Sequence, residues 1–389
     1  MTIINLGTYP PKQCGIATFS QDLRNGLELC GQRVEVISIS DSSIPYQYGS
    51  EVKFTIRQEE KSDYYHAAQY INKQSQANMV IIQHEYGIFG GPDGEYILGL
   101  AKKLNKPYIV ITHTVLPSPK RHPQSILHRL CSNAAAVVCM TKRSARLLSD
   151  MYSIPSSLIH VISHGVPEFT RNEPDVLKEK YGLQGKTIIS TFGLLGPGKG
   201  LEMGIKALVP LVKTYPDILY LILGQTHPVL KAREGESYRQ MLQNLVNELG
   251  LQSHVRFVNK FLDDDELNDY LNLTDIYLSP YPNRDQAVSG TLAFAAGAGK
   301  AIVSTAYAYA LEILGNGRGL LALENNPEQI AKLLGKIIAN PSLKKSLEEN
   351  AYQLGRTWSW PNIGRQYCSL FSALEQAEQE ESPLHYARL

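Results

Sequence analysis

Residues Thr274–Thr305 read TDIYLSPYPNRDQAVSGTLAFAAGAGKAIVST, and the pattern changes three times along them. Ile276–Leu278 is a short apolar run of the kind that fills a buried strand. Tyr281–Val288 is polar and carries Asn283, Arg284, Asp285 and Gln286, the composition of a loop. Ser289-Gly290-Thr291 then opens a helical stretch of Ala and Gly, and Ala301–Ser304 starts the next strand. A helix that begins at Ser-Gly-Thr presents free backbone N–H groups, two hydroxyls and the positive end of its dipole to an anion. Phosphate is the obvious candidate.

Working outward, the same alternation fills the chain. In the first half, strand-like runs fall at Thr2–Leu6, Val34–Ile39, Met79–Gln83, Tyr108–Thr112, Ala136–Met140 and Ile159–Ile162. Helical patterns lie between them at Thr18–Cys30, Asp63–Gln74, Tyr96–Leu104 and Lys142–Met151. The segment Glu168–Asp175 turns polar and contains proline, which suits a linker. The pattern then restarts with Thr187–Phe192, Ile218–Leu223, Val255–Val258, Ile276–Leu278, Ala301–Ser304 and Leu320–Leu321. Alternation of this kind predicts βαβ units on parallel sheets. The expected architecture is therefore two doubly wound α/β domains facing across a cleft, where the carboxyl ends of both sheets can meet a ligand. The boundaries are placed at 1–168 and 169–357. Residues 358–389 form a tail in which Pro361 suits the first turn of a last helix.

Size and composition agree. The 389 residues suffice for two cores, and 43% hydrophobic with 19% charged residues is a globular balance. A net charge of +1 exerts no global pull towards nucleic acid or membrane. Five cysteines (Cys14, Cys30, Cys131, Cys139 and Cys368) are odd in number and lack metal-ligand spacing, which fits thiols in a reducing cytosol. The apolar run Ile3–Leu6 is too short for a signal peptide, and no run reaches membrane-spanning length. A cytoplasmic protein is expected.

Several local patterns could carry chemistry. The loop Gly7–Ala17 ends at a helix start, where Gly15 would let backbone approach a ligand or simply ease a βα turn. It is not a Gly-x-Gly-x-x-Gly fingerprint. Gly193-Leu194-Leu195-Gly196-Pro197-Gly198-Lys199-Gly200 reads either as a phosphate clamp with Lys199 as point charge or as a glycine turn with a solvated lysine. His84-Glu85 and His113 each end a strand, the edge where α/β proteins place chemistry. Asp263 with Glu266 three residues on reads as a helix cap rather than a metal site. Lys120, Arg121 and Arg129 beside Ile126, Leu127 and Leu130 read as a solvated helix face, with contact to anionic lipid or a charged acceptor as the rival. No Ser/His/Asp order or zinc spacing stands out.

Taken in order, these motifs resemble glycosyltransferase family 4, the group 1 retaining enzymes of the GT-B fold. The resemblance covers essentially the whole chain. It rests on the glycine loop at Gly15, the strand-end His113, the Val161–Val166 junction, the Gly193–Gly200 loop and the Leu292–Val303 helix–strand unit. Trp360 and the last helix are similar to the family's C-terminal segment, which crosses back to the first domain.

The resemblance implies an acceptor domain at 1–168 and a donor domain at 169–357, both Rossmann-like. It implies a nucleotide-sugar donor, with GDP-mannose or UDP-glucose first, and a carbohydrate or glycoconjugate acceptor. Lys199 would neutralise the departing diphosphate, Ser289, Gly290 and Thr291 would donate to it, and Gly15 would close on it. His113 and Gln286 would stand beside the transferred sugar. His84, Glu85, Asn283, Arg284 and Asp285 would meet sugar or acceptor, and Lys260 and Phe261 the base. No metal and no cofactor are expected, no nucleic acid, and at most peripheral membrane contact.

The chain also departs from the family. Two glutamates usually stand eight positions apart in the stretch quoted above, and here those positions are Gln286 and Phe294. Leu194 replaces an arginine, and Arg284 or Arg233 are the cations available to supply that charge. Two rivals follow from these departures: a retaining sugar phosphorylase of the same fold, using sugar 1-phosphate and phosphate, and a non-catalytic sugar- or nucleotide-binding protein.

Overall fold

The computed structural model describes residues 1–41 and 45–381. They divide into two compact units, Met1–Gly165 together with the chain from Trp360 onward, and Val166–Ser359.

The first unit is built on seven strands: β1 (Thr2–Gly7), β2 (Arg33–Ser40), β3 (Val52–Arg57), β4 (Ala77–His84), β5 (Tyr108–Thr112), β6 (Ala136–Cys139) and β7 (Ile159–Val161). Their order is β3-β2-β1-β4-β5-β6-β7, and every pairing is parallel. Central strands read as unbroken apolar runs because helices cover both faces. In β5, Ile109, Val110 and Ile111 are fully buried, and each such side chain contributes roughly 1.5–3 kcal/mol by leaving water. Sequence analysis placed no strand at β3. There Val52, Phe54 and Ile56 alternate with Lys53, Thr55 and Arg57, the period-2 pattern of a half-buried edge strand rather than a continuous run.

The first helix, Gly15–Leu29, starts three residues earlier than its periodicity suggests, because the Cys14 sulfur accepts from Ala17 N–H and caps it. The last helix, Trp360–Glu381, lies against it in the same unit. Gly26 makes this possible, since a Cβ there would stand 2.9 Å from the Trp360 carbonyl oxygen.

The second unit has six strands: β8 (Thr187–Phe192), β9 (Ile218–Leu223), β10 (Val255–Val258), β11 (Ile276–Ser279), β12 (Ala301–Thr305) and β13 (Leu320–Ala322). Their order is β10-β9-β8-β11-β12-β13, again parallel throughout. Each sheet reverses its strand order beside its first strand, at β1/β4 and at β8/β11. Ligands of doubly wound sheets bind beyond the carboxyl ends at such a reversal. Residues 168–173 carry neither helix nor strand, and a helix begins at Pro174, inside the stretch read as a linker.

Among the described residues, no helix is long and apolar enough to cross a membrane.

Candidate functional site

In the second unit the β8/β11 reversal brings two loops together. β11 leads through the polar loop to the helix Gly290–Gly297, whose N-cap is Ser289. Ser289 Oγ accepts from Leu292 N–H at 3.2 Å. The first intrahelical bond runs from Ala293 N–H to the Ser289 carbonyl, so the N–H groups of Gly290 and Thr291 precede the ladder and point out of the helix start. β8 leads into Gly193, which has φ +120, and on through a single 3-10 turn to Lys199. A Cβ on Gly193 would lie 3.1 Å from Thr291 Cγ2 and 3.2 Å from Lys199 Nζ. Only glycine fits that backbone, and its absent side chain is where the lysine meets the helix start.

One hydroxyl joins these parts. Lys199 Nζ donates to Tyr281 Oη and stands 4.6 Å from the centre of its ring. Tyr281 Oη lies 2.8 Å from Thr291 Oγ1, and Ser289 Oγ lies 3.2 Å from Thr291 Oγ1. The Tyr281 ring is stacked on Tyr307 at 5.1 Å, and Tyr307 is held in turn by Ser279 at 2.8 Å. Burial alone would raise the Tyr281 phenol. The Lys199 charge and the hydrogen bonds from Lys199, Ser289 and Thr291 outweigh burial and hold it below its ordinary value. An ammonium has three donors and Tyr281 takes one. The cluster therefore gathers a cation, two free N–H groups and hydroxyls where an anion could sit.

The other residues singled out in this unit are tied locally. Gln286 Nε2 donates to the Val288 carbonyl at 2.8 Å, Asn283 Oδ1 accepts from Asp285 N–H at 3.1 Å, and Arg284 reaches the Leu323 carbonyl at 3.2 Å. Lys260 is paired with Glu266, and Phe261 beside it is 46% exposed. Asp263 accepts from Glu266 N–H at 2.9 Å, so the acidic run caps a helix as its spacing indicated. Phe294 is buried among Phe169 and Phe192.

In the first unit, β4 and β5 end side by side. His113 Nε2 lies 2.8 Å from Gln83 Oε1, while Gln83 Nε2 donates to Asn5 Oδ1 at 2.9 Å. That order makes Gln83 Oε1 the acceptor, so His113 carries its proton on Nε2 and leaves Nδ1 bare. Burial lowers the His113 imidazole to about 3, with His164 and His84 adding to the effect. It is neutral at physiological pH and fixed in one tautomer. His84 is buried against Tyr86 and Phe89, and burial lowers it to about 4. Glu85 accepts from Thr114 at 2.8 Å and Tyr86 N–H at 2.7 Å; burial raises its carboxyl, against the pull of both bonds. Gly15 opens the first helix, and a Cβ there would meet nothing within 4 Å. Packing does not demand glycine at that position, whereas room for a ligand would.

Tyr281, Tyr307, Gln83 and Asn5 were not read from the sequence. Another such residue is His227, whose Nδ1 accepts from Val229 N–H at 3.3 Å. Its backbone bonds to Leu195 at 2.9 Å, which seats the β9 loop on the Gly193–Gly200 loop. Burial, then the Lys199 charge, lower its imidazole. The visible signal was a Thr-His-Pro turn after a strand. Among the described residues, no three His, Cys, Asp or Glu side chains gather where they could hold a metal ion.

Known proteins share this plan. Residues 175–354 match the family described as glycosyl transferases group 1, and residues 14–168 match glycosyltransferase family 4. A GDP-mannose-dependent alpha-(1-6)-phosphatidylinositol monomannoside mannosyltransferase of Mycolicibacterium smegmatis is 25% identical over 64% of this chain and 66% of its own. A D-inositol 3-phosphate glycosyltransferase of Corynebacterium urealyticum is 24% identical over 67% of this chain and 62% of its own. The chain thus spans about two thirds or less of these curated relatives. In structure, HepE of Anabaena, solved with UDP, superposes with a TM-score of 0.76 at 16% identity, covering 96% of this chain and 100% of that one. Sucrose-phosphate synthase of Thermosynechococcus elongatus gives 0.79 at 17% identity, over 97% and 100%. The two doubly wound units, the family matches to each and these superpositions agree, and the chain belongs to the group 1, family 4 glycosyltransferases of the GT-B fold.

Proposed function

We propose that the protein is a retaining hexosyltransferase moving a mannose- or glucose-type hexose from a nucleotide sugar to a carbohydrate-like acceptor. The observation that carries this reading is the Lys199–Tyr281–Thr291 cluster at the start of the helix Gly290–Gly297. A sugar nucleotide leaves as a diphosphate, and a fixed ammonium, two N–H groups and a hydroxyl supply the stabilisation that leaving group needs. A relative named for GDP-mannose and structural neighbours solved with UDP or UDP-glucose support a nucleotide-sugar donor.

The bond between the sugar's anomeric carbon and the diphosphate oxygen breaks as the acceptor hydroxyl attacks from the same face. The acceptor's proton passes to the departing phosphate. Gln286, its Nε2 held by Val288, has Oε1 left to accept from a sugar hydroxyl. Neutral His113 orients the sugar rather than donating a proton, since an imidazole lowered to about 3 carries none to spare. Lys260 and Phe261 are assigned to the base, Glu85 to the acceptor, and Gly15 to the diphosphate. Lys199 and the helix start take the place that a metal ion fills in other transferases.

Turnover with GDP-mannose and UDP-glucose over a panel of sugar acceptors tests the reading, with anomeric configuration followed by proton NMR. An α-linked product from an α-linked donor is expected, and a β-linked product would overturn retention. Phe294 favours a second reading, a sugar phosphorylase, because an apolar side chain stands where a ribose partner is usual. In that case sugar 1-phosphate and inorganic phosphate would turn over and nucleotide sugars would not.

A further inference from the structure

All five cysteines are free thiols, and they occupy different settings. Cys131 and Cys139 are sealed in the core of the first unit, fully buried. Cys14 caps the first helix beside Thr8. Cys30 and Cys368 face each other across the contact between the first and last helices.

Glycine creates that contact. A Cβ on Gly364 would stand 2.4 Å from the Gly26 carbonyl oxygen, so the two backbones touch. One helical turn beyond each glycine come Cys30 and Cys368. The Cys30 sulfur lies 3.3 Å from where a Gly364 Cβ would be, one helical turn from Cys368. Both thiols are partly exposed. They line an open groove of about 740 Å³ together with Leu29, Pro361, Arg365 and Gln376. A small reagent can reach them, which it cannot do for Cys131 and Cys139.

We propose that Cys30 and Cys368 form a dithiol modification site, oxidised by a low-molecular-weight disulfide to an intramolecular disulfide that ties the last helix to the first. The Cys30 thiolate attacks one sulfur of the reagent, whose S–S bond breaks and releases one thiol. The Cys368 thiolate then attacks the Cys30 sulfur of the mixed disulfide and releases the second thiol. Two protein thiols and one small disulfide give one protein disulfide and two small thiols; two electrons pass to the reagent and the two protons go with the released thiols. Burial pushes the Cys368 thiol up to about 11, with Cys30 adding to the effect, so its thiolate is scarce near neutral pH and the second, intramolecular step quickens as pH rises. The product closes a loop over most of the chain and so restricts the unfolded ensemble.

The full-length protein is incubated with excess hydroxyethyl disulfide, alkylated, digested without reduction and mapped by mass spectrometry. The expected result is a cross-linked peptide pair joining Cys30 to Cys368, with Cys14 carrying a single hydroxyethyl adduct. The oxidised protein should melt several degrees higher, and dithiothreitol should reverse the shift. Cys368→Ser should leave Cys30 as a hydroxyethyl adduct with no cross-link and no rise in melting. Recovery of wild-type Cys30 and Cys368 as two separate adducts overturns the proposal. So does finding both unmodified under conditions that label Cys14.

Discussion

Tyr281 decides how the anion cradle works, because one phenol contacts the lysine, the helix start and its cap at once. Lys199→Ala removes the charge and should lower kcat about 100- to 1,000-fold, the usual loss for one preorganised donor at a developing negative charge. Tyr281→Phe keeps the ring on Tyr307 and removes only the hydroxyl. Its expected loss is smaller, about 10-fold, the lower end of the scale for one hydrogen bond to a charged group. Steady-state kinetics on the two variants check the ranking, and a larger effect from Tyr281→Phe would contradict it. Lys199 and Ser289–Thr291 could be singled out as candidates because glycines, a lysine and hydroxyls stand at loop–helix junctions, and the structure brings the two loops together. Tyr281 could not, since its lysine partner is 82 residues away and only the adjacency of β8 and β11 joins them.

Elements carry the next set of consequences. Ser289 is both N-cap and part of the cradle, so Ser289→Ala should destabilise the second unit by about 1 kcal/mol and weaken anion binding together. Gly193→Ala should cost more, since its φ of +120 strains any side chain and the new Cβ crowds Thr291 and Lys199. Urea unfolding of the two variants checks the order; equal midpoints would contradict it. Strands β5, β8 and β9 could be read to the residue because central parallel strands are covered on both faces and so are largely apolar runs. The β3 edge strand escaped because only every second residue faces the core. The first helix was read short because a cysteine cap is rarer than Ser, Thr, Asp or Asn.

For the molecule as a whole, the buried histidines set an acid limit. His84, His113 and His164 lie in the first unit, and burial lowers them to about 4, 3 and 4. Unfolded histidines titrate near 6.5, so below that value the unfolded state binds more protons than the folded one. Stability is therefore full above pH 6.5 and falls as pH drops towards 4, above the range where most carboxylates titrate. Hydrogen exchange across that window should show the first unit loosening before the second, and a flat response down to pH 5 would contradict it. Activity should also survive prolonged treatment with EDTA, and loss restored by a divalent cation would remove Lys199 and the helix start as sufficient charge. The central claim concerns what the anion is attached to. Titration calorimetry with UDP, GDP, inorganic phosphate and a sugar 1-phosphate, on wild type and Lys199→Ala, tests it most directly. The predicted result is one nucleoside diphosphate bound at a single site, weakened about tenfold or more by Lys199→Ala, as loss of a hydrogen bond to a charged group implies. Binding of phosphate or sugar 1-phosphate with no binding of either nucleoside diphosphate would contradict it.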